Sequence, residues 1–509
     1  MSKNSKSFSL AEKIGKLIPD PVIIFVILYA LLMLISLLLG GREFSIVSYD
    51  GTKTVYEFKY MFTAENIRWI FSNAILNNWL AYGSGILGII LVVMLGIGVA
   101  EESGLLSALI RRLGIIVPEK LLPYVLVFIG IMTNIATDVG YLVLVPLAGM
   151  LYAGIGKNPL VGMAAAFAGV SAGFSANLVP ATFADVVIGA NAKSFALSQG
   201  IPFISQSGEP LTAATMNYYF LAVSTFLLVI TGGIITTKIT EKRYGKTNLT
   251  DIHKNENIDV TPEEKRALKF ALLGFILSLA FVILLAVFPL RSYIDESGNK
   301  VSPYIDNVIL LVTLVFFVSG TFYGFASKKF KSASDLVGAM AKQIGGMGYV
   351  IVLTFFCYNF LSLLAYTNAN TFITSIGASF LQNVGLSSSP ILLILAVILV
   401  TSIINLFVGG MTAKWMLLGP LLIPMLYNVN QSMTPDVVAA AYRVADSCTN
   451  TITPLMTYAG VVLMYMRKYK EDFSAGSLIS MMMPYSAIFL VSWSLLLITF
   501  VVFKIPLGF

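Results

Sequence analysis

Five charged side chains fall inside stretches that are otherwise apolar: Asp138, Asp185, Lys414, Arg443 and Asp446. A charge at mid-membrane costs about 2.5–3.5 kcal/mol on insertion scales, so one kept there generally handles an ion, a proton or a charged ligand. Arg443 carries a planar fork that matches a carboxylate. Asp446 is three residues further on and shares its side of a helix. The two either neutralise each other or divide the work, Arg443 taking a carboxylate and Asp446 a cation or proton. Lys414 sits in "INLFVGGMTAKWMLLGP" (404–420), after Gly409-Gly410 and before Trp415. The Gly-Gly pair loosens a helix and frees carbonyls that lipid cannot satisfy, so they must face protein or water. Asn405 and Thr412 add side-chain oxygens beside them. Unwound backbone rich in oxygen suits Na+, whereas a half-helix N-terminus suits an anion. Trp415 offers a flat face to a ring, or simply packs. Lys414 is either interior or snorkels to the interface.

The elements that hold these residues are membrane helices. Of 509 residues, 57% are hydrophobic and 12% charged, and mean hydropathy is +0.84. A soluble domain carries roughly 25% charge. Apolar runs of about 20 residues fit helices rather than the alternating strands of a barrel. Spans are expected at about 21–40, 79–100, 215–237, 267–289, 304–326, 344–366 and 477–503. Two longer stretches, 120–152 and 389–427, are interrupted, the first by "TNIATDVG" (133–140). Two others, 159–195 and 435–467, hold "SAGFSANLVPATFAD" and "DSCTNT" between apolar arms. If the interrupted stretches cross once and the polar-tipped ones enter and leave on one side, every Lys/Arg-rich loop falls in the cytoplasm, as the positive-inside rule asks. That gives an all-α integral membrane protein of about nine spans plus two re-entrant hairpins, 159–195 and 435–467. Its N-terminus is cytoplasmic and it sits in the inner (plasma) membrane.

An internal repeat has the same shape. Leu151-Tyr152 precedes "AAAF" (164–167) at the interval that separates Leu426-Tyr427 from "AAAY" (439–442), and "LLVIT" (227–231) matches "LLLIT" (495–499). The two copies run oppositely through the membrane by the charge rule, a signature of secondary transporters. The chain then divides into 1–20, a cytoplasmic N-terminus; 21–238, span one and the first repeat; 239–343, a cytoplasmic loop and scaffold spans; and 344–509, the second repeat.

Composition narrows the chemistry. The +7 net charge lies mostly in short loops and needs no nucleic acid. Cys357 and Cys448 lack zinc spacing, and the sole histidine, His253, is in a polar loop. Neither a metal centre nor a Ser-His or Cys-His pair is expected within the membrane, so an embedded amide hydrolase is the weakest reading. A channel needs repeated polar rings along a pore, whereas this sequence concentrates its polar residues. Ion coupling is expected near Asp446, Thr449 and Asn450, with a related group at Asn134, Asp138, Ser175, Asn177 and Asp185. No cofactor is expected, and Na+ stands beside H+ as a coupling ion.

The chain resembles the p-aminobenzoyl-glutamate transporter (AbgT) family, within the wider ion-transporter superfamily. The resemblance rests on "LVVMLGIGVAEESGL" (91–105), "ATDVGYLVLVPLA" (136–148), "GVSAGFSANL" (169–178), "NYYF" (217–220), "INLFVGGMTAKW" (404–415) and "AYRVADSCTNTITPLM" (441–456). It implies a homodimer moving p-aminobenzoyl-glutamate, a small aromatic anion, or sulfonamide antimetabolites, with cation coupling. By motif position the family's functional residues fall on Asn405, Thr412, Trp415, Pro435, Arg443, Asp446 and Pro454, with an aspartate near Asp185. Three departures stand out. Gly410 replaces a serine, and Ala445 replaces a glycine. Ala181-Thr182-Phe183-Ala184-Asp185 replaces Gly-Thr-x-Asp-Pro, so the aspartate lies one place late.

Overall fold

In the computed structural model, residues 19–47, 53–135, 140–245, 260–294, 300–406, 408, 410–453, 456 and 458–509 are described. The basic N-terminal segment, Asp138 and Pro454 lie outside them.

Long apolar runs become long helices where capping residues start them. Pro21, Pro262 and Pro390 occupy first helical positions, where the missing N–H costs nothing. Thr261 and Glu264 cap each other's backbone in a capping box. Among the described residues, six helices are long and apolar enough to cross a membrane: Pro21–Leu39, Tyr218–Tyr244, Pro262–Val287, Val308–Ala326, Gly348–Tyr366 and Ala475–Val502. Ile86–Glu102 with Leu105–Arg112, bent by 58°, makes a seventh if taken as one span. This last helix starts later than the expected 79. Residues before it coil tightly through Gly83 and Gly85, both at positive φ.

Both interrupted stretches are helix–break–helix. Leu122–Thr133 is followed, after 134–139, by Gly140–Leu144 and Val145–Gly154. Pro390–Asn405 stops before Gly410, whose φ of +78° favours glycine, and Met411–Val429 resumes. Both polar-tipped stretches are also helix pairs. Pro159–Phe167 and a short π-helical turn, Ala168–Ala172, lead through the tip to Phe183–Leu197, and Pro435–Thr449 leads to Ala459–Arg467.

The two halves interleave. The leading arm of each pair packs on its own interrupted element: Pro159–Phe167 on Leu122–Thr133 and Val145–Gly154, Pro435–Thr449 on Pro390–Asn405 and Met411–Val429. The trailing arm crosses to the other half, Phe183–Leu197 onto Met411–Val429 and Ala459–Arg467 onto Val145–Gly154. Gly130 and Gly169 make the first packing close: a Cβ on Gly169 would meet the Val127 carbonyl at 2.3 Å. Ile86–Glu102, Pro262–Val287, Val308–Ala326 and Ala333–Gly346 pack together as a separate group. An apolar cavity of about 1230 Å³, lined by Phe128, Met132, Phe275, Leu279 and Phe316, lies between that group and the first interrupted element.

Two segments outside the expected spans carry regular structure. Glu43–Val47 and Lys53–Glu57 pair as an antiparallel hairpin, and Trp69, on helix Ala64–Asn73, stacks on Tyr366 at 3.9 Å. Ala369–Asn383 is a helix packed against Met411–Val429.

Candidate substrate and ion site

The charged residues meet where the helix breaks and the polar tips converge. Tip meets tip through Ser171 Oγ, which donates to Met456 Sδ at 3.3 Å. The second tip meets the second break through Thr453 Oγ1, which donates to the Leu406 carbonyl at 3.4 Å. Tyr141, just after the first break, stacks on Tyr458 at 4.6 Å.

Lys414 stands in the first turn of Met411–Val429 and is 1% exposed. Its Nζ lies 2.6 Å from Asp446 Oδ1 and also donates to Asn405 Oδ1. Asn405 is the last residue before the break, and its Nδ2 reaches the Asp446 carbonyl at 2.7 Å, Thr449 Oγ1 at 2.6 Å and Asn450 Oδ1 at 3.0 Å. One amide therefore ties the broken helix end to the second tip. Tyr442 Oη donates to the Met411 carbonyl at 2.6 Å and lies 3.5 Å from Asp446 Oδ1. Among the described residues Asp446 Oδ2 is buried with no hydrogen-bond partner. Thr412 is half-buried in the first turn of Met411–Val429.

Arg443 faces the other way. Its Nη2 lies 2.5 Å from Asp185 Oδ1 and 3.4 Å from the Ser175 carbonyl. The Arg443–Asp446 pairing offered by their spacing does not form. A three-residue step leaves two side chains about 60° apart around a helix, and a different oppositely charged neighbour stands on each side. Asp185 is also the third residue of its helix and closes a capping box with Thr182. Its Oδ2 accepts from the Thr182 backbone at 2.9 Å, Thr182 Oγ1 at 2.7 Å and Asn177 Nδ2 at 3.4 Å. The Ser175 backbone N–H donates to Ser447 Oγ at 3.1 Å, joining the tip to the Arg443 helix. Among the described residues, both amide atoms of Asn134, Ser175 Oγ, Asn177 Oδ1 and Arg443 Nε are buried without a partner. These are the atoms a bound ion or substrate group can satisfy, since buried polar groups otherwise find partners.

Trp415 is fully buried. Its Nε1 donates to the Ile188 carbonyl at 3.0 Å, and its ring lies 4.8 Å from Tyr442 and 6.2 Å from Phe195. In this conformation it anchors Phe183–Leu197 to Met411–Val429 rather than presenting a face to a ligand. Pro435 is buried at the first position of the Arg443 helix. Lys414 is the site residue that sequence reasoning left undecided. Its signal, a lysine inside an apolar run beside Gly-Gly, was visible, but its partner was not.

Ala181 has φ +57°, a region that costs an L-residue about 1–2 kcal/mol. It stands where the resemblance puts glycine. Ala181→Gly is expected to raise stability by up to about 1 kcal/mol, because glycine's extra freedom in the unfolded chain returns about 0.4–1 kcal/mol. Thermal unfolding in detergent measures this, and a lowered Tm contradicts it.

A helical membrane protein whose buried charges pair where an interrupted helix meets two polar-tipped helix pairs has the build of a transporter. The chain belongs to the AbgT putative transporter family, which it matches over residues 6–509. It is 29% identical over 513 residues to the p-aminobenzoyl-glutamate transport protein of Escherichia coli (strain K12), covering 100% of this chain and 97% of that one. It superposes on the Alcanivorax borkumensis YdaH transporter with a TM-score of 0.87 and 32% identity, covering 96% and 100% of the two chains. With Neisseria gonorrhoeae MtrF, described as illuminating a class of antimetabolite efflux pumps, the TM-score is 0.84, at 32% identity and 96% coverage of both. The family and these relatives are transporters, and this protein is a transporter rather than an enzyme.

Proposed function

We propose that the protein is a cation-coupled secondary active transporter of p-aminobenzoyl-glutamate-like aromatic anions or sulfonamide-type antimetabolites. It works as a homodimer in the plasma membrane, with nine spans, two re-entrant hairpins in an inverted repeat, and a cytoplasmic N-terminus. The observation that carries this reading is the pair of buried ion pairs, Lys414–Asp446 and Arg443–Asp185, which join the leading helix of the second hairpin to the helix after the break in its own half and to the tip of the other hairpin. A cation taken up at Asp446 with Asn405, Thr449 and Asn450, or at Asp185 with Asn134, Ser175 and Asn177, changes the charge balance that holds these elements together. Arg443 then has its fork available for a substrate carboxylate. The cation is Na+ or H+, since a carboxylate set among hydroxyl and amide oxygens serves either.

Radiolabelled p-aminobenzoyl-glutamate in proteoliposomes separates this from the alternatives. Uphill accumulation driven by a cation gradient is expected. Flux that only runs downhill identifies a channel or passive permease, and appearance of p-aminobenzoate identifies a hydrolase.

A further inference from the structure

We infer that Lys414 is a second carboxylate-binding cation of the substrate site, held by Asp446 until the coupling cation takes that carboxylate over. This rests on the substrate class proposed above. Among the described residues the interior holds two cations, Arg443 and Lys414, and they pair with internal carboxylates, Asp185 and Asp446 respectively. p-Aminobenzoyl-glutamate carries two carboxylates, both on its glutamate end. The two internal aspartates thus occupy the contacts that the substrate's two carboxylates make when bound.

Three features of Lys414 suit the exchange. Its ammonium is 1% exposed, so its attraction for an anion is poorly screened. It lies in the first turn of Met411–Val429, whose N-terminal end favours negative charge. Its partner Asp446 already has one oxygen, Oδ2, buried and unpartnered, so a coupling cation has a ligand there before Lys414 leaves Oδ1. Asn405 bonds both Lys414 Nζ, through Oδ1, and the Asp446 carbonyl, through Nδ2, so it keeps the ammonium and the carboxylate helix in register. Charge balance sets the stoichiometry: a dianion replaces two aspartates without leaving net charge only if each aspartate takes up one cation. Two cations therefore enter per dicarboxylate.

The test compares p-aminobenzoyl-glutamate with p-aminobenzoyl-glutamine, which has the same shape and one carboxylate fewer. Equilibrium binding is measured on purified wild type, Lys414→Met, Lys414→Arg and the double variant Lys414→Met with Asp446→Leu. The double variant removes both buried charges, so it keeps the test informative if Lys414→Met alone does not fold. Wild type and Lys414→Arg are expected to prefer the glutamate compound by about 10-fold or more, the size of a charge-assisted hydrogen bond. Lys414→Met and the double variant should lose that preference while still binding the glutamine compound. A preference retained in either, or absent from wild type that binds both compounds, overturns the inference alone. Wild type that binds neither compound overturns the substrate reading and this inference with it.

Discussion

Asp446→Asn is expected to abolish gradient-driven uptake and to lower stability by about 3–5 kcal/mol. The asparagine keeps the shape of the carboxylate but takes away the charge that pairs with Lys414 among the described residues, and Lys414 is 1% exposed. Breaking a buried pair by removing one partner strands the other charge, which is what makes the loss large. Lys414→Met with Asp446→Leu removes both charges and should recover most of the stability, because an apolar pair in a low-dielectric site has no desolvation cost. It should not recover coupling, since the carboxylate that takes the cation is gone. Thermal unfolding in detergent and flux in proteoliposomes are measured on all three proteins. An Asp446→Asn protein as stable as wild type and equally responsive to the gradient contradicts the assignment.

Arg443→Met and Arg443→Lys are both expected to lose substrate binding by about 10–150-fold, the range of a hydrogen bond to a charged group. Lysine keeps the charge but not the fork, so it should not rescue. The control that separates binding from structure follows from the geometry. Arg443 is paired with Asp185, not with Asp446, so the informative double change is Arg443→Met with Asp185→Asn. Asparagine still accepts from Thr182 and preserves the capping box that opens Phe183–Leu197. If pairing is the only role of Arg443, this double variant binds p-aminobenzoyl-glutamate normally. If Arg443 clamps the substrate, the double variant regains stability and stays unable to bind.

The breaks and tips were legible because they violate the membrane's demand for satisfied backbone. A Gly-Gly before a lysine, or "DSCTNT" between apolar arms, has no business facing lipid. The partners within the cluster were not legible. Periodicity says which side of a helix Arg443 and Asp446 share, but only tertiary packing brings Asp185, from the other half, to one and Lys414, from a neighbouring helix of the same half, to the other. Trp415 shows the same limit. Its residue type fits a stacking platform and a packing anchor equally, and the Ile188 carbonyl that decides its present contact lies 227 residues away. The hairpin of Glu43–Val47 with Lys53–Glu57 and the helix Ala369–Asn383 escaped because both are too short and mixed in polarity to stand out beside long apolar spans.

Accumulation of radiolabelled p-aminobenzoyl-glutamate in proteoliposomes, with Na+ and H+ gradients imposed one at a time, tests cation-coupled transport most directly. One of the two gradients should drive the internal concentration above the external one, an ionophore that collapses that gradient should abolish the excess, and Asp446→Asn should show none. An internal concentration that only ever reaches the external value, under either gradient and with wild type, contradicts it.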